Sequence, residues 1–166
     1  MQTTTFQGEK ISTQGNLPAV DQQAPNFNLP DAKGNQHALT DYEKKFVVLN
    51  IFPKIKTPVC SASVRKFNQS AADLPNTVVL CISKDSKEDI AEFCAAEGID
   101  NVVTLSAAED QNFEKEYGVL MTEGPLKGLF ARSVVVISPE GKVVYEELLP
   151  KIEQEPNYEQ ALKAAQ

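Results

Sequence analysis

The stretch FPKIKTPVCS, residues 52–61, sets a threonine and a proline just ahead of a cysteine and directly after an apolar, β-like run. Thr57 has the type and place of a helix N-cap, Pro58 fits the first helical position, where its missing N–H costs nothing, and Cys60 falls at the third. The sulfur then lies near backbone N–H groups that no carbonyl of the same helix can engage, and near the positive end of the helix dipole. Both favour thiolate over thiol, and the thiolate is the nucleophile. Lys54 and Lys56 add positive potential that solvent screens. A free cysteine on an apolar stripe is ordinarily a small buried hydrophobe, and that reading stands beside the reactive one.

The residues around Cys60 carry the same two readings. If its hydroxyl is not committed to capping, Thr57 can contact the sulfur three residues on or hold an oxygen of a bound substrate; otherwise it is a cap. Pro53 closes the preceding strand and can shape one wall of a pocket, or is only a strand end. Arg132 precedes the run SVVVI. A guanidinium entering a pocket from a strand end would hold a thiolate and polarise a peroxide oxygen, although a solvated strand terminus is the plainer reading and nothing local places it beside Cys60.

Two further cysteines complete the set. Cys81 lies in the middle of TVVLCIS, a context that predicts a buried structural thiol. Cys94 rides the apolar face of a helix, and a thiol there can condense with a sulfenic acid to a disulfide once the helix unwinds locally. An odd number of cysteines at irregular spacing argues against a lasting disulfide framework in a reducing compartment. The single histidine, His37, sits far upstream in a loop-like stretch, so neither a CxxC zinc site nor a local Cys–His pair is visible.

The elements that must position these residues follow from the apolar periods. The runs at 46–52, 77–83 and 101–105, and the pair within 133–148 joined by SPEGK, read as strands of one sheet. Cys60, Val64, Phe67, Ala71 and Leu74 form one stripe on a helix from about Pro58 to Leu74. A second helix spans 87–97, capped by Ser86 and stopped by Gly98. A third lies around 111–117 between Asp110 and Gly118, and PNYEQALKAA closes the chain as a fourth. Small hairpins are expected over 3–13 and around DAKGN, neither with reactive residues. Strands alternating with helices predict an α/β fold with helices on both faces of the sheet.

A chain of 166 residues with no linker or repeat reads as one domain, 1–166. Its net charge of −7 repels phosphate backbones and anionic lipid surfaces, which disfavours nucleic acid and membrane as partners. The N-terminus lacks a basic start followed by an apolar stretch, and no segment approaches the roughly 18 apolar residues of a span, so a cytoplasmic location is expected.

Taken together, FPKIKTPVCSASVRKFN, EFCAAEGI and YGVLMTEGPLKGLFARSVVVISPEGKVVYEELLPKIEQEPNYEQAL resemble the bacterial thiol peroxidases, the atypical two-cysteine peroxiredoxins, over nearly the whole chain. The most specific part is the arrangement of Pro53, Thr57 and Cys60. The resemblance implies a thioredoxin-like fold, a central mixed β-sheet flanked by helices with an N-terminal β-hairpin extension. It implies that Cys60 is the peroxidatic cysteine, Cys94 the resolving one in the same chain, and Pro53, Thr57 and Arg132 the other active-site residues. The reaction would reduce hydrogen peroxide and organic hydroperoxides, with thioredoxin as reductant and no metal, haem or flavin, in a homodimer. Lys54 and Lys56 stand where the family often has a serine and an aspartate, a change of charge beside any docking surface near that loop. The rival readings are a thiol-disulfide oxidoreductase, against which Ser63 fills the second slot of a CxxC pair, and a non-catalytic binding module of the same fold.

Overall fold

Side chains alternate across a strand, so the run at 46–52 must feed two cores at once. In the computed structural model, which describes residues 2–71 and 73–165, it does. The chain order is β1 (Thr3–Phe6), β2 (Glu9–Ser12), β3 (Asn28–Pro30), β4 (Gln36–Ala38), β5 (Phe46–Ile51), α1 (Pro58–Ala71), β6 (Thr77–Ser83), α2 (Lys87–Glu97), β7 (Val103–Ser106), α3 (Asn112–Tyr117), β8 (Ser133–Ile137), β9 (Val143–Leu148) and α4 (Tyr158–Ala164). Val47, Leu49 and Ile51 of β5 pack with Phe113 and Tyr117 of α3 and with Phe27 and Leu29. Val48 and Phe52 face the other way, onto Cys60, Val64 and Phe67 of α1, Ile90 and Phe93 of α2, and Ala161 near the chain end.

The sheet has the order β7-β6-β5-β8-β9. The pairs β5/β6 and β6/β7 are parallel, β5/β8 and β8/β9 antiparallel, so the sheet is mixed and has helices on both faces, as expected.

Local capping chemistry sets most boundaries. The Ser86 hydroxyl accepts from the Asp89 amide, and Gly98 closes α2 in the left-handed region, donating to the Cys94 carbonyl. Asp110 accepts from the Phe113 amide at 2.8 Å at the start of α3. Several boundaries differ from expectation, β5 ending at Ile51 and α4 covering only Tyr158–Ala164, and two of the differences have a local cause. Helix α1 stops at Ala71 rather than Leu74, because the amides of Asp73 and Leu74 turn back to the carbonyls of Ser70 and Ala71. Strand β7 begins at Val103 rather than 101, because the Asn68 side chain of α1 draws the amides of Asp100 and Asn101 out of the sheet.

The residue after α3, Gly118, has φ +66°, and a Cβ there would lie 2.4 Å from the Asn16 nitrogen. Gly118→Ala should therefore destabilise the fold by about 2–4 kcal/mol in denaturant unfolding, from strain plus overlap with backbone that cannot yield.

The N-terminal hairpin is present, its turn at Gln7 and Gly8 with both φ positive (51° and 82°). It is stitched onto the segment after β9: the Thr4 hydroxyl donates to the Leu149 carbonyl at 2.9 Å and the Ile152 amide to the Thr5 carbonyl at 2.8 Å. Phe6 and Ile11 pack there with Met121, Leu126, Leu129, Ala131 and Ile152. The hairpin carries none of the candidate reactive residues, as expected, and its Phe6 lines the slot beside Pro53, Thr57 and Arg132. Among the described residues no helix is long and apolar enough to cross a membrane.

Candidate active site

Pro53 lies two residues beyond the end of β5, and the chain turns through 54–57 into α1. The Ser61 amide donates to the Thr57 carbonyl at 2.8 Å, which is the first bond of the helix and makes Thr57 the cap by position. Its side chain differs from the expectation. The Thr57 hydroxyl donates to the Lys54 carbonyl at 2.8 Å and accepts from no helix amide, so the turn is closed on itself. The Cys60 amide therefore has no acceptor among the described residues and is free to donate elsewhere.

Arg132 reaches Cys60 by sheet register. Ile51 of β5 pairs with Ser133 of β8, so the residue ahead of Ser133 arrives beside the end of β5, where the turn begins. The guanidinium is 2 % exposed; its Nε donates to the Ile152 carbonyl at 2.7 Å and its Nη2 to the Cys60 sulfur at 3.2 Å. Its Nη1 is buried without a partner among the described residues. One guanidinium nitrogen thus holds the sulfur, and the orphaned donor beside it is available to an incoming oxygen.

Above these groups opens a cavity of about 300 Å³ walled by Phe6, Pro53, Val59, Leu126, Leu129 and Ile152, with Thr57 and Arg132 also on its surface. Cys60 itself is fully buried and does not line it. Contact between slot and sulfur runs through Arg132, which touches both. Larger grooves elsewhere, of about 570 and 740 Å³, contain neither a cysteine nor Arg132.

All three cysteines are free. Cys81 is buried in β6 as expected, and burial pushes its thiol up to about 12, against a small opposing contribution from the Asn50 side chain. Cys94 packs half-buried against the same core as Cys60. Its sulfur lies 3.3 Å from the Thr104 hydroxyl; burial raises its pKa, and the Thr104 contact only partly counters this. The resting Cys94 is thus held as a thiol on an intact helix. His37 lies in β4 rather than a loop, and its ring nitrogens are engaged by Asp31 at 2.8 Å and Tyr42 at 2.7 Å.

Lys56 extends over α2, with Glu92 at 3.2 Å and Asp89 at 3.6 Å, and Arg65 of α1 meets Glu97 at 3.3 Å. The charges of Lys56 and Arg65, on either side of Cys60 in sequence, are therefore partly neutralised by the helix that carries Cys94. Lys54 is exposed at the slot and has no ion pair among the described residues. Residues with no individual signal in the sequence also belong here: Phe6, Leu126 and Leu129 as walls, the Ile152 carbonyl as the brace of Arg132, and Ser61, whose hydroxyl donates to the Ile55 carbonyl at 2.6 Å. Among the described residues no three His, Cys, Asp or Glu side chains are placed to hold a metal.

Known proteins resemble the chain over nearly its whole length. The sequence family described as Redoxin matches residues 19–162. The chain is 46% identical over 164 residues to a thiol peroxidase of Corynebacterium glutamicum, covering 99% of both proteins. It is equally similar to one of Mycobacterium tuberculosis, covering 99% of this chain and 98% of that protein. Among solved structures, a peroxiredoxin-like protein from Aquifex aeolicus superposes with a TM-score of 0.94 at 30% identity, covering 99% of this chain and 96% of that one. A thiol peroxidase from Chromobacterium violaceum, at 21% identity, TM-score 0.89 and coverage of 97% and 93%, shares the fold. A near-full-length match to curated thiol peroxidases and a thioredoxin-like architecture converge on one assignment: the chain belongs to the redoxin family, in its thiol peroxidase branch.

Proposed function

We propose that the chain reduces hydrogen peroxide and organic hydroperoxides through Cys60, with Cys94 as the resolving thiol and thioredoxin as the electron donor. The observation that carries this reading is the Arg132 contact on the Cys60 sulfur at 3.2 Å beneath an apolar slot, with the second guanidinium nitrogen unpaired.

The Cys60 thiolate attacks the terminal oxygen of ROOH, an S–O bond forms as the O–O bond breaks, and RO⁻ leaves to take up a proton. Arg132 Nη1, the Cys60 amide and the Thr57 hydroxyl, if it turns from the Lys54 carbonyl, supply donors for charge developing on the two oxygens. Pro53 and the apolar walls keep water from the sulfur and accept the organic part of an alkyl hydroperoxide. Cys94 then attacks the sulfenic sulfur, water leaves, and a disulfide joins residues 60 and 94. Reduced thioredoxin restores both thiols by exchange, in a cycle that calls on no metal, haem or flavin. A reducing cytoplasm suits such a cycle, and the pairing usual among such peroxidases leads us to expect a homodimer.

Cys94→Ser should consume one equivalent of peroxide per chain and stop, leaving Cys60 as a sulfenic acid that a dimedone probe captures. Sustained turnover with thioredoxin in that variant would remove Cys94 from the cycle.

Resolution also requires α2 to release Cys94, and Lys56 clips that helix to the turn before α1. Lys56→Ala should speed disulfide closure about two- to fivefold in dilute buffer, the scale of an exposed ion-pair network, and the difference should fade in high salt. Rapid-quench measurement of the disulfide at two salt concentrations checks this.

A further inference from the structure

We infer that Asp85 is a positioning residue for the Cys60 turn, an inference that rests on Cys60 being the attacking thiol. The turn between Phe52 and Pro58 is closed on itself, because the Thr57 amide and hydroxyl both donate to the Lys54 carbonyl. Its fixed attachment to the rest of the molecule is the peptide at Ile55, a fully buried residue. The Ile55 carbonyl accepts from the Ser61 hydroxyl of α1 at 2.6 Å, and the Ile55 amide donates to the Asp85 carboxylate at 2.8 Å.

Asp85 is itself braced from two strands. The same carboxylate oxygen accepts from the Ser83 hydroxyl at 2.7 Å, the Asp85 amide donates to the Ser83 hydroxyl at 3.3 Å, and the Asp85 carbonyl accepts from the Ser106 hydroxyl at 2.6 Å. An ionised acceptor makes the shorter, stronger class of hydrogen bond, and one already held by β6 and β7 transmits the sheet's rigidity to the turn. Asp85 touches neither the sulfur nor the slot. It acts by fixing where Pro53 and Thr57 stand relative to Cys60 and Arg132. It also immediately precedes Ser86, the cap of α2, so the elements bearing the two cysteines meet at this one residue.

Without the carboxylate the buried Ile55 amide loses its acceptor and the turn shifts to find another. Displacements of the order of 1 Å at a reacting centre cost up to about a hundredfold in rate. The test compares two reactions of Cys60 in the reduced full-length chain. Stopped-flow oxidation by hydrogen peroxide needs an aligned oxygen–oxygen bond; alkylation by iodoacetamide, read by mass spectrometry on the Cys60 peptide, needs only a reachable sulfur. In Asp85→Ala, oxidation should slow by about ten- to a hundredfold while alkylation is unchanged or faster, because a loosened turn exposes a sulfur that is otherwise buried. Asp85→Asn retains an acceptor oxygen in the same place and should restore oxidation to within about threefold. If the alanine variant does not fold, Asp85→Ser, whose hydroxyl is too short to reach Ile55, should show the same split. Oxidation within about twofold of wild type in the alanine or serine variant, equal losses in both reactions, or an asparagine variant no better than alanine would overturn the inference. Failure of the underlying assignment looks different: Cys60→Ser would itself go on consuming peroxide.

Discussion

Cys60→Ser should abolish peroxide consumption, lowering multi-turnover activity by more than about a thousandfold, the scale on which enzymes respond to loss of a nucleophile. A serine hydroxyl at this position would need a base to ionise it. The only histidine is engaged in β4 with Asp31 and Tyr42, and the one carboxylate lining the slot among the described residues, that of Glu153, accepts from the Gln7 amide at 2.8 Å. Nor can another cysteine substitute. Cys81 is fully buried with its thiol pushed up to about 12, and Cys94 is held protonated by burial on an intact helix. The substitution removes little packing volume, and Arg132 can donate to the new oxygen as it does to sulfur, so stability should change by no more than about 1 kcal/mol. Thioredoxin-coupled peroxide consumption, set beside the melting temperature, separates lost chemistry from lost fold; sustained turnover in the variant would contradict the assignment.

The second large effect is expected at Arg132. Folding alone gives little reason to keep a guanidinium that is 2 % exposed and leaves one nitrogen without a partner, because such a group carries an uncompensated desolvation cost. Its value lies in the donors it holds ready for charge that develops during attack. Arg132→Met keeps much of the volume and removes the charge, so the second-order rate of Cys60 oxidation should fall by about 10²–10³, the usual loss for one preorganised donor. The melting temperature should hold or rise, with the lost bond to the Ile152 carbonyl offsetting part of the gain. Arg132→Lys should recover little of the rate, since an ammonium cannot contact the sulfur, the Ile152 carbonyl and a substrate oxygen together. A variant that melts earlier yet oxidises within tenfold of wild type would make Arg132 a structural residue instead.

What could be read from the residues alone was whatever short-range chemistry determines. Helix α2 starts and stops where Ser86 and Gly98 indicate, because both caps act through bonds within a few residues. Cys60 is at the third position of α1 because Thr57 and Pro58 direct the helix start, even though the Thr57 hydroxyl turns to Lys54 instead of capping. The apolar stripe of α1 was legible as a core face, and it buries the reactive sulfur completely, a burial that the position at a helix start does not reveal. The remainder depends on contacts distant in sequence. Arg132 meets Cys60 only through the β5/β8 register, Asn68 displaces the start of β7 from 33 positions away, and Phe6 becomes a pocket wall because the hairpin bonds to residues some 145 further along. Asp85 carried no signal in the sequence, and its bond to Ile55 spans 30 positions.

The central claim is that peroxide oxygen is delivered to Cys60 and passed on as a bond to Cys94. Its most direct test is to treat the reduced wild-type chain with one equivalent of hydrogen peroxide, digest it without reductant and identify the joined cysteines by mass spectrometry. The expected product is a single intramolecular link between the peptides carrying Cys60 and Cys94, with Cys81 still a free thiol. A chain in which Cys60 remains a free thiol while oxygen or a disulfide appears at Cys81 or Cys94 would contradict the account.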